Sequence, residues 1–348
     1  MIQNPAILEP NTQPEREIIV HRESEIDSLI SVLKPLPTGE FWEASAYLYG
    51  PSGAGKTTTT RCVLEQLEEA HDVSIIYIDC MAHHSQHDIL NAMLEGLGAR
   101  PSAFRRGEST GSLYSKVKAS TPDGTIVVLD EVDQLETWNV LHQLYGLNGV
   151  STVCIANQPW HDLEFEDPRI DSRMGSATQI AFRAYSESQL TSILDRRVRA
   201  GLDAGVIGNE EISTIVSYAD GDARKAISLL NQAVRRTRKD RLGTVSSDVI
   251  EASVGDAERE IVRSRLDSLS ADQRVALEVI GSVGPSTSTP LFEAYCERVD
   301  EPKSDRTFRN WLRKFVEYEL VDKTDSSVPE YQLRKMVGKE LRESLLAN

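Results

Sequence analysis

Gly50-Pro51-Ser52-Gly53-Ala54-Gly55-Lys56-Thr57 fits the pattern G-x-x-x-x-G-K-[ST]. Glycines at these positions let the backbone turn so that its N–H groups converge on an anion. Lys56 is then placed to reach the β- and γ-phosphates of a nucleotide, and the Thr57 hydroxyl to hold Mg²⁺. The flanks have the shape this loop needs. Ser45-Ala-Tyr-Leu-Tyr49 reads as a short buried strand, and Thr58 to Glu69 as a helix. That helix would begin beneath the phosphates, where its dipole favours them. Pro51, Ser52, Gly53, Ala54, Gly55, Lys56, Thr57 and Thr58 are therefore the candidate phosphate cradle.

Working outward, Thr125-Ile-Val-Val-Leu-Asp130-Glu131 is four apolar residues followed by two acids. Asp130, at the end of this strand, would hold Mg²⁺ opposite Lys56, and Glu131 would polarise the attacking water. A strand ending in two acids says little alone; following a phosphate loop it says much more, because each needs the other. Ser151-Thr-Val-Cys-Ile-Ala156-Asn157 is a further strand ending in a polar amide, so Asn157 could bond the γ-phosphate or the lytic water. Ser74 to Asp79 and Thr178 to Phe182 complete five buried strands alternating with helices. The pattern predicts a doubly wound α/β domain with a parallel sheet over residues 1–184.

Residues 1–17 read as flexible. A helix with Ile26, Leu29, Ile30 and Leu33 on one face follows, ended by Pro35 and Pro37. After the second strand come Cys80, His83, His84 and His87, which could ligate zinc or be ordinary loop and helix-start residues. Residues 185–256 read as an all-helical domain opened by the capping signature Ser186-Glu-Ser-Gln189. Within it, Arg224 and Lys225 open a helix, where the dipole disfavours cations by about 0.3–1 kcal/mol. Arg224 either reaches the γ-phosphate or pairs locally with Asp220 or Asp222.

Residues 257–348 read as helices near 271–281, 288–299 and 304–319, two short strands from Val321 to Leu333, and a final helix: the pattern of a winged helix. Residues advance by about 100° along the third helix. This puts Arg306, Arg309 and Arg313 on one face and Phe308, Trp311, Leu312 and Phe315 on the other. A helix that buries aromatics and presents arginines suits a DNA groove, with Lys314 as a fourth candidate contact. The alternative is a solvated basic face of a protein-binding module.

Composition sets outer bounds. The formal net charge is −16, from 54 Asp and Glu against 38 Lys and Arg. Such acidity suits a protein of high-salt cytoplasm, where self-repulsion is screened, or an ordinary acidic cytosolic protein. The surplus is uneven: residues 258–348 carry net −2 and the rest net −14. No apolar run approaches the ~18 residues of a membrane span, and no signal-peptide pattern opens the chain, so a cytoplasmic location is expected. The four cysteines lack C-x-x-C pairing and read as buried thiols.

Taken together, the chain resembles the archaeal replication initiators related to the eukaryotic origin recognition complex, which are AAA+ ATPases with a C-terminal winged helix. The resemblance covers about residues 12–348. His21-Arg22-Glu23 looks like the family's adenine-proximal box, which implies Val20 and Arg22 at the nucleotide. Gly50–Thr57 and Asp130-Glu131 resemble its Walker A and B motifs, Asn157 its sensor 1, and Gly221-Asp222-Ala223-Arg224-Lys225-Ala226 its sensor 2 signature. Asp167-Pro168-Arg169-Ile170 is similar to the family's Asp-Pro-Arg-Val, making Arg169 the candidate finger toward a neighbouring subunit. Asp171-Ser172-Arg173-Met174 departs from the family's small-residue run, so Arg173 could share that role. The segment 81–118, with Arg105 and Arg106, could hold the helix that such initiators insert towards DNA. The resemblance implies ATP or ADP with Mg²⁺, slow regulatory hydrolysis and duplex origin DNA. It also implies self-association or paralogous subunits, and recruitment of the replicative helicase. Nucleotide state would switch the angle between ATPase and winged helix. The rival readings are a signalling P-loop ATPase whose winged helix binds protein, and a mobile-element ATPase of the same superfamily.

Overall fold

A computed structural model describes residues 2–10, 12–34, 44–98, 108–163 and 167–347, with side chains through 343. The prolines at 35 and 37 and the arginines at 105 and 106 lie outside the described residues.

The chain divides into two compact units, Met1–Val254 and Gly255–Asn348. In the first, five strands run in the order β2-β3-β4-β1-β5, with β1 Ser45–Tyr49, β2 Ser74–Asp79, β3 Thr125–Asp130, β4 Val150–Ala156 and β5 Thr178–Ala181. Every pairing is parallel. All residues of β3 and β4 are buried, which is why those segments are nearly unbroken runs of apolar residues. Alternate side chains feed two cores. Val127 and Leu129 pack with Ile89, Leu90 and Met93 of α4 (Gln86–Gly96). Ile126 and Val128 pack with Leu29 and Leu33 of α2 (Glu23–Leu33) and with Val63 and Leu67 of α3 (Lys56–Ala70). On the first of these faces lie also α5 (Thr110–Ser120), α6 (Asn139–Leu144) and α7 (Pro168–Ser176). The sheet is the AAA+ type, with β4 between β1 and β3, so the loops after these three strands adjoin at its C-terminal edge.

Four helices follow: α8 Glu187–Gly201, α9 Asn209–Ala219, α10 Ala223–Lys239 and α11 Ser247–Asp267. Ser186 and Gln189 form the reciprocal capping box that starts α8. The division between the two units falls inside α11.

The N-terminal segment corrects one expectation. It is not a flexible tail. The short helix α1 (Pro5–Leu8) packs on α8 and α10, Ile7 and Leu8 are buried, and Ile2 bridges to Leu202. A single turn leaves too few residues for a periodic signal, so only its tertiary docking makes it ordered.

The second unit holds α12 (Ala271–Val283), α13 (Ser288–Cys296), α14 (Asp305–Glu317), the antiparallel pair β6 (Val321–Lys323) and β7 (Tyr331–Leu333), and α15 (Lys335–Ala347). Phe292, Tyr295, Phe308 and Trp311 form an aromatic cluster with ring centroids 5.3 to 6.4 Å apart. Ser286 bridges to Tyr331, which ties the start of α13 to the hairpin. Three helices and a wing make this unit a winged helix.

Candidate nucleotide site and nucleic-acid interface

The loop between β1 and α3 is set by left-handed glycines. Gly53 has φ +72°, and a Cβ there would stand 1.9 Å from Asp222 Oδ1. Only glycine lets the loop and the start of α10 approach so closely. The contact is reinforced where Ala223 N–H donates to the Gly53 carbonyl at 3.2 Å.

Lys56 is buried, and its ammonium donates to the carbonyls of Gly50 at 2.6 Å and Pro51 at 3.0 Å, and to Asn157 Oδ1 at 2.9 Å. Asn157 Nδ2 is buried without a hydrogen-bond partner. A buried amide donor left unbonded costs roughly 1–3 kcal/mol, so it marks where an acceptor belongs. Thr57 Oγ1 donates to Asp130 Oδ2 at 2.9 Å. The same oxygen accepts from Tyr77 O–H at 2.5 Å. Burial, and then the Asp130 charge, push the Tyr77 phenol well above its usual range, so it remains a donor. Glu131 follows β3 with φ +57°, a left-handed conformation uncommon for a side-chain-bearing residue.

Lys56, Thr57, Asp130, Glu131, Asn157 and Arg224 line one cleft between the sheet edge and the lid helices. Ser52, Gly53, Gly55, Thr58 and Val20 line it too. Arg224 makes no side-chain hydrogen bond or ion pair with Asp220 or Asp222. Asp222 instead caps α10, accepting from the backbone N–H of Arg224 at 2.7 Å and of Lys225 at 3.1 Å. That cap offsets the first-turn cations. The far wall is apolar: Pro10, Pro14, Ile18, Ile19, Tyr185, Ile193 and Ile227, with Arg197 among them. Sequence reasoning missed this wall, because Pro10, Pro14, Ile18 and Ile19 belong to no motif and reach the cleft only through the N-terminal docking.

Arg22 is placed behind the loop and does not line that cleft. Its guanidinium donates to the carbonyls of Ala54 at 2.9 Å and Arg183 at 2.7 Å, pairs with Glu25 at 3.1 Å, and stacks on Tyr185 with 4.0 Å to the ring centroid. Its effect on a ligand would pass through the Ala54 backbone.

Arg169 and Arg173 are both exposed on α7. Arg169 grips Asp167 with contacts of 2.7 to 3.1 Å and holds that carboxyl down at about 2. Arg173 stacks on Tyr145 and donates to its carbonyl at 3.3 Å. The residues first weighed for zinc do not converge. Cys80 is buried in the sheet core, His84 faces Glu136 at 3.5 Å and His87 contacts Asn91. No metal-binding cluster exists among the described residues.

On α14, Phe308, Trp311, Leu312 and Phe315 are buried, and Arg306, Arg309 and Arg313 are exposed. Arg309 pairs with Asp305 at 2.8 Å and Arg313 donates to Asn310. Lys314 is a correction. It is 1% exposed and reaches Gln273 Oε1 at 3.4 Å, so it belongs to the packing under α14 and not to a DNA contact. Its position borders the aromatic face, and its long stem follows that face inward.

No described helix is long and apolar enough to cross a membrane. The sequence profile of the AAA domain matches residues 42–159, and that of the Cdc6 AAA+ ATPase-type lid domain matches residues 191–255. The chain is 33% identical over 311 residues to ORC1-type DNA replication protein 1 of Halobacterium salinarum, covering 89% of this chain and all of the relative. It is 31% identical over 328 residues to ORC1-type DNA replication protein 9 of the same organism, covering 94% and 92%. Among solved structures, it resembles the Aeropyrum pernix ORC1 protein in complex with DNA, with TM-score 0.75, 26% identity and 99% and 98% coverage. The chain therefore belongs to the ORC1-type DNA replication proteins, and it is a replication initiator built on an AAA+ ATPase.

Proposed function

We propose that this initiator grips duplex origin DNA through α14 and its wing, and that the nucleotide in the cleft of the first unit governs that grip. The observation that carries the reading is the meeting of Lys56, Asp130, Asn157 and Arg224 in one cleft, since Arg224 comes from the lid and the others from the domain built on the sheet. A ligand that bridges them links lid position to phosphate count.

Lys56 would exchange its two carbonyl partners for phosphate oxygens. Asn157 would turn its free Nδ2 toward the γ-phosphate or the attacking water, and Glu131 would take the proton from that water. Thr57 Oγ1 and Asp130 Oδ2 lie 2.9 Å apart on the cleft wall, a pair of hard oxygens that suits Mg²⁺. The ion would supply charge neutralisation at the phosphates. Hydrolysis would be slow, timing an on-state more than driving motion. Arg169, with Arg173 behind it, would act on the nucleotide of a neighbouring or paralogous subunit. The domain limits read from the sequence, at 184/185 and 256/257, serve as the working division of ATPase core, lid and DNA-binding part. Recruitment of a replicative helicase and a cytoplasmic site of action complete the proposal.

The DNA-bound Aeropyrum relative supports the reading, as do the exposed arginines of α14. The test is footprinting on sheared genomic DNA with ATP, ADP and no nucleotide. Discrete protected sites that change with nucleotide are expected. Absence of protection in every state, at several salt concentrations, would remove the DNA role.

A further inference from the structure

β2 and β3 pair in parallel with Tyr77 opposite Val128. Side chains alternate along a strand, so Tyr77 shares a sheet face with Val128 and with Asp130, two residues further on. That face is the one α3 covers. Thr57 and Arg61 stand four residues apart on α3, one above the other on the same side of the helix. The four side chains meet. Thr57 Oγ1 and the Tyr77 hydroxyl both donate to Asp130 Oδ2, at 2.9 and 2.5 Å. The Arg61 guanidinium lies over the Tyr77 ring, 4.7 Å from its centroid.

Two donors on one oxygen matter because the last torsion of an aspartate is soft, and its carboxyl plane turns through a broad well. Two donors fill the two lone pairs of that oxygen and stop the turn. Oδ2 is thus fixed, and Oδ1 takes no hydrogen bond among the described residues. Thr57 could not hold the plane alone once a cation drew on its oxygen, because its hydroxyl would then serve ion and carboxylate together. Tyr77 has no such second duty. It does not line the cleft, and its rigid ring is seated on the core beneath α3 and under Arg61.

We propose that Tyr77 is a positioning residue for Mg²⁺: its hydroxyl fixes the plane of the Asp130 carboxylate, so that Oδ1 is held ready for the ion or for a water bound to it. This rests on the reading of Thr57 and Asp130 as the cation site. Tyr77 touches neither nucleotide nor ion; it acts through Asp130 alone.

The test follows ADP binding to the full chain by titration calorimetry, in EDTA and across a series of Mg²⁺ concentrations. Tyr77→Phe removes the hydroxyl and keeps the ring, with its stacking and its packing. ADP affinity in EDTA should stay at the wild-type value. The Mg²⁺ concentration that gives half of the full effect should rise by tenfold or more, the usual cost of losing a partner behind a metal ligand. In an Asp130→Asn background the same change should shift that midpoint no further, since residues that act through one another are not additive. A merely structural role predicts a lower melting temperature and an ADP affinity lowered equally in EDTA and in Mg²⁺; that result overturns the proposal. So does an equal shift of the midpoint in both backgrounds. If wild type binds ADP equally well in EDTA and in Mg²⁺, the cation reading itself fails first. A Mg²⁺ effect in wild type, with an unchanged midpoint in Tyr77→Phe, refutes only this inference.

Discussion

Lys56 Nζ lies 2.9 Å from Asn157 Oδ1, joining the residue after the phosphate loop to the residue after β4. β1 and β4 are paired with Tyr49 opposite Ala156, so the two strands hand their next residues to the same point. The amide is thus oriented by the lysine: its oxygen is taken and its nitrogen is left buried without a partner.

Asn157→Asp should therefore be worse than Asn157→Ala. The aspartate would hold the Lys56 ammonium as an ion pair and add negative charge beside the γ-phosphate. ATP affinity should fall by tenfold or more in the aspartate variant and by less in the alanine variant, measured by titration calorimetry. Equal affinities in the two would show that Asn157 does not face phosphate.

Glu131→Gln should bind ATP at near wild-type affinity and lose turnover by about 10²–10⁴-fold, the usual worth of a positioned base. Lys56→Ala should lose nucleotide binding itself. Turnover at the wild-type rate in Glu131→Gln would return the base role to another residue.

Arg169→Ala, or the Arg169/Arg173 double change, should leave nucleotide affinity intact and lower hydrolysis only in assembled protein. The Asp167–Arg169 pair also sets a pH expectation. Asp167 is depressed from 3.8 to about 2 by the Arg169 hydrogen bonds, so the cap it gives α7 is fully present above pH 3.8 and is lost as pH falls towards 2. The effect of Asp167→Ala on melting temperature should then be the same at pH 8 and pH 5. A difference between those two would mean that the carboxyl titrates higher.

On α14 the exposed and buried cations should behave oppositely. Reversing Arg306, Arg309 and Arg313 to Glu should spare folding and ATP binding, yet cost each contact roughly 1–3 kcal/mol of DNA affinity and flatten its salt dependence. Lys314→Glu should instead unfold the second unit, because it would set a buried carboxylate against the Gln273 amide oxygen that now accepts from the ammonium. Lys314→Met should fold and bind DNA like wild type. DNA binding lost in Lys314→Met with the fold intact would restore Lys314 as a contact.

Much of this was legible because the residues concerned answer to local rules. β3 and β4 are written as wholly buried, mostly apolar segments, and the phosphate loop as glycines and a lysine at fixed spacing. The amphipathic split of α14 follows from periodicity alone. The rest depended on tertiary partners. Lys314 sits at the edge of a helical face, where spacing does not say whether a long side chain turns in or out. The N-terminal helix has only four residues, and its order comes from α8 and α10, far along the chain. Arg22 and Tyr77 stand by the phosphate loop through contacts that no spacing encodes.

Arg22 carries a consequence for the order of folding. One guanidinium joins the loop at Ala54 to the chain at Arg183, across sequence separations of 32 and 161 residues. Closing the longer of these requires β5 to be in place, and long closures come late because their entropy must be spent before any contact rewards it. The cradle would then be among the last parts of the sheet domain to consolidate during refolding and among the first to open on mild denaturation. A newly synthesised chain could not hold ligand until residue 183 had left the ribosome.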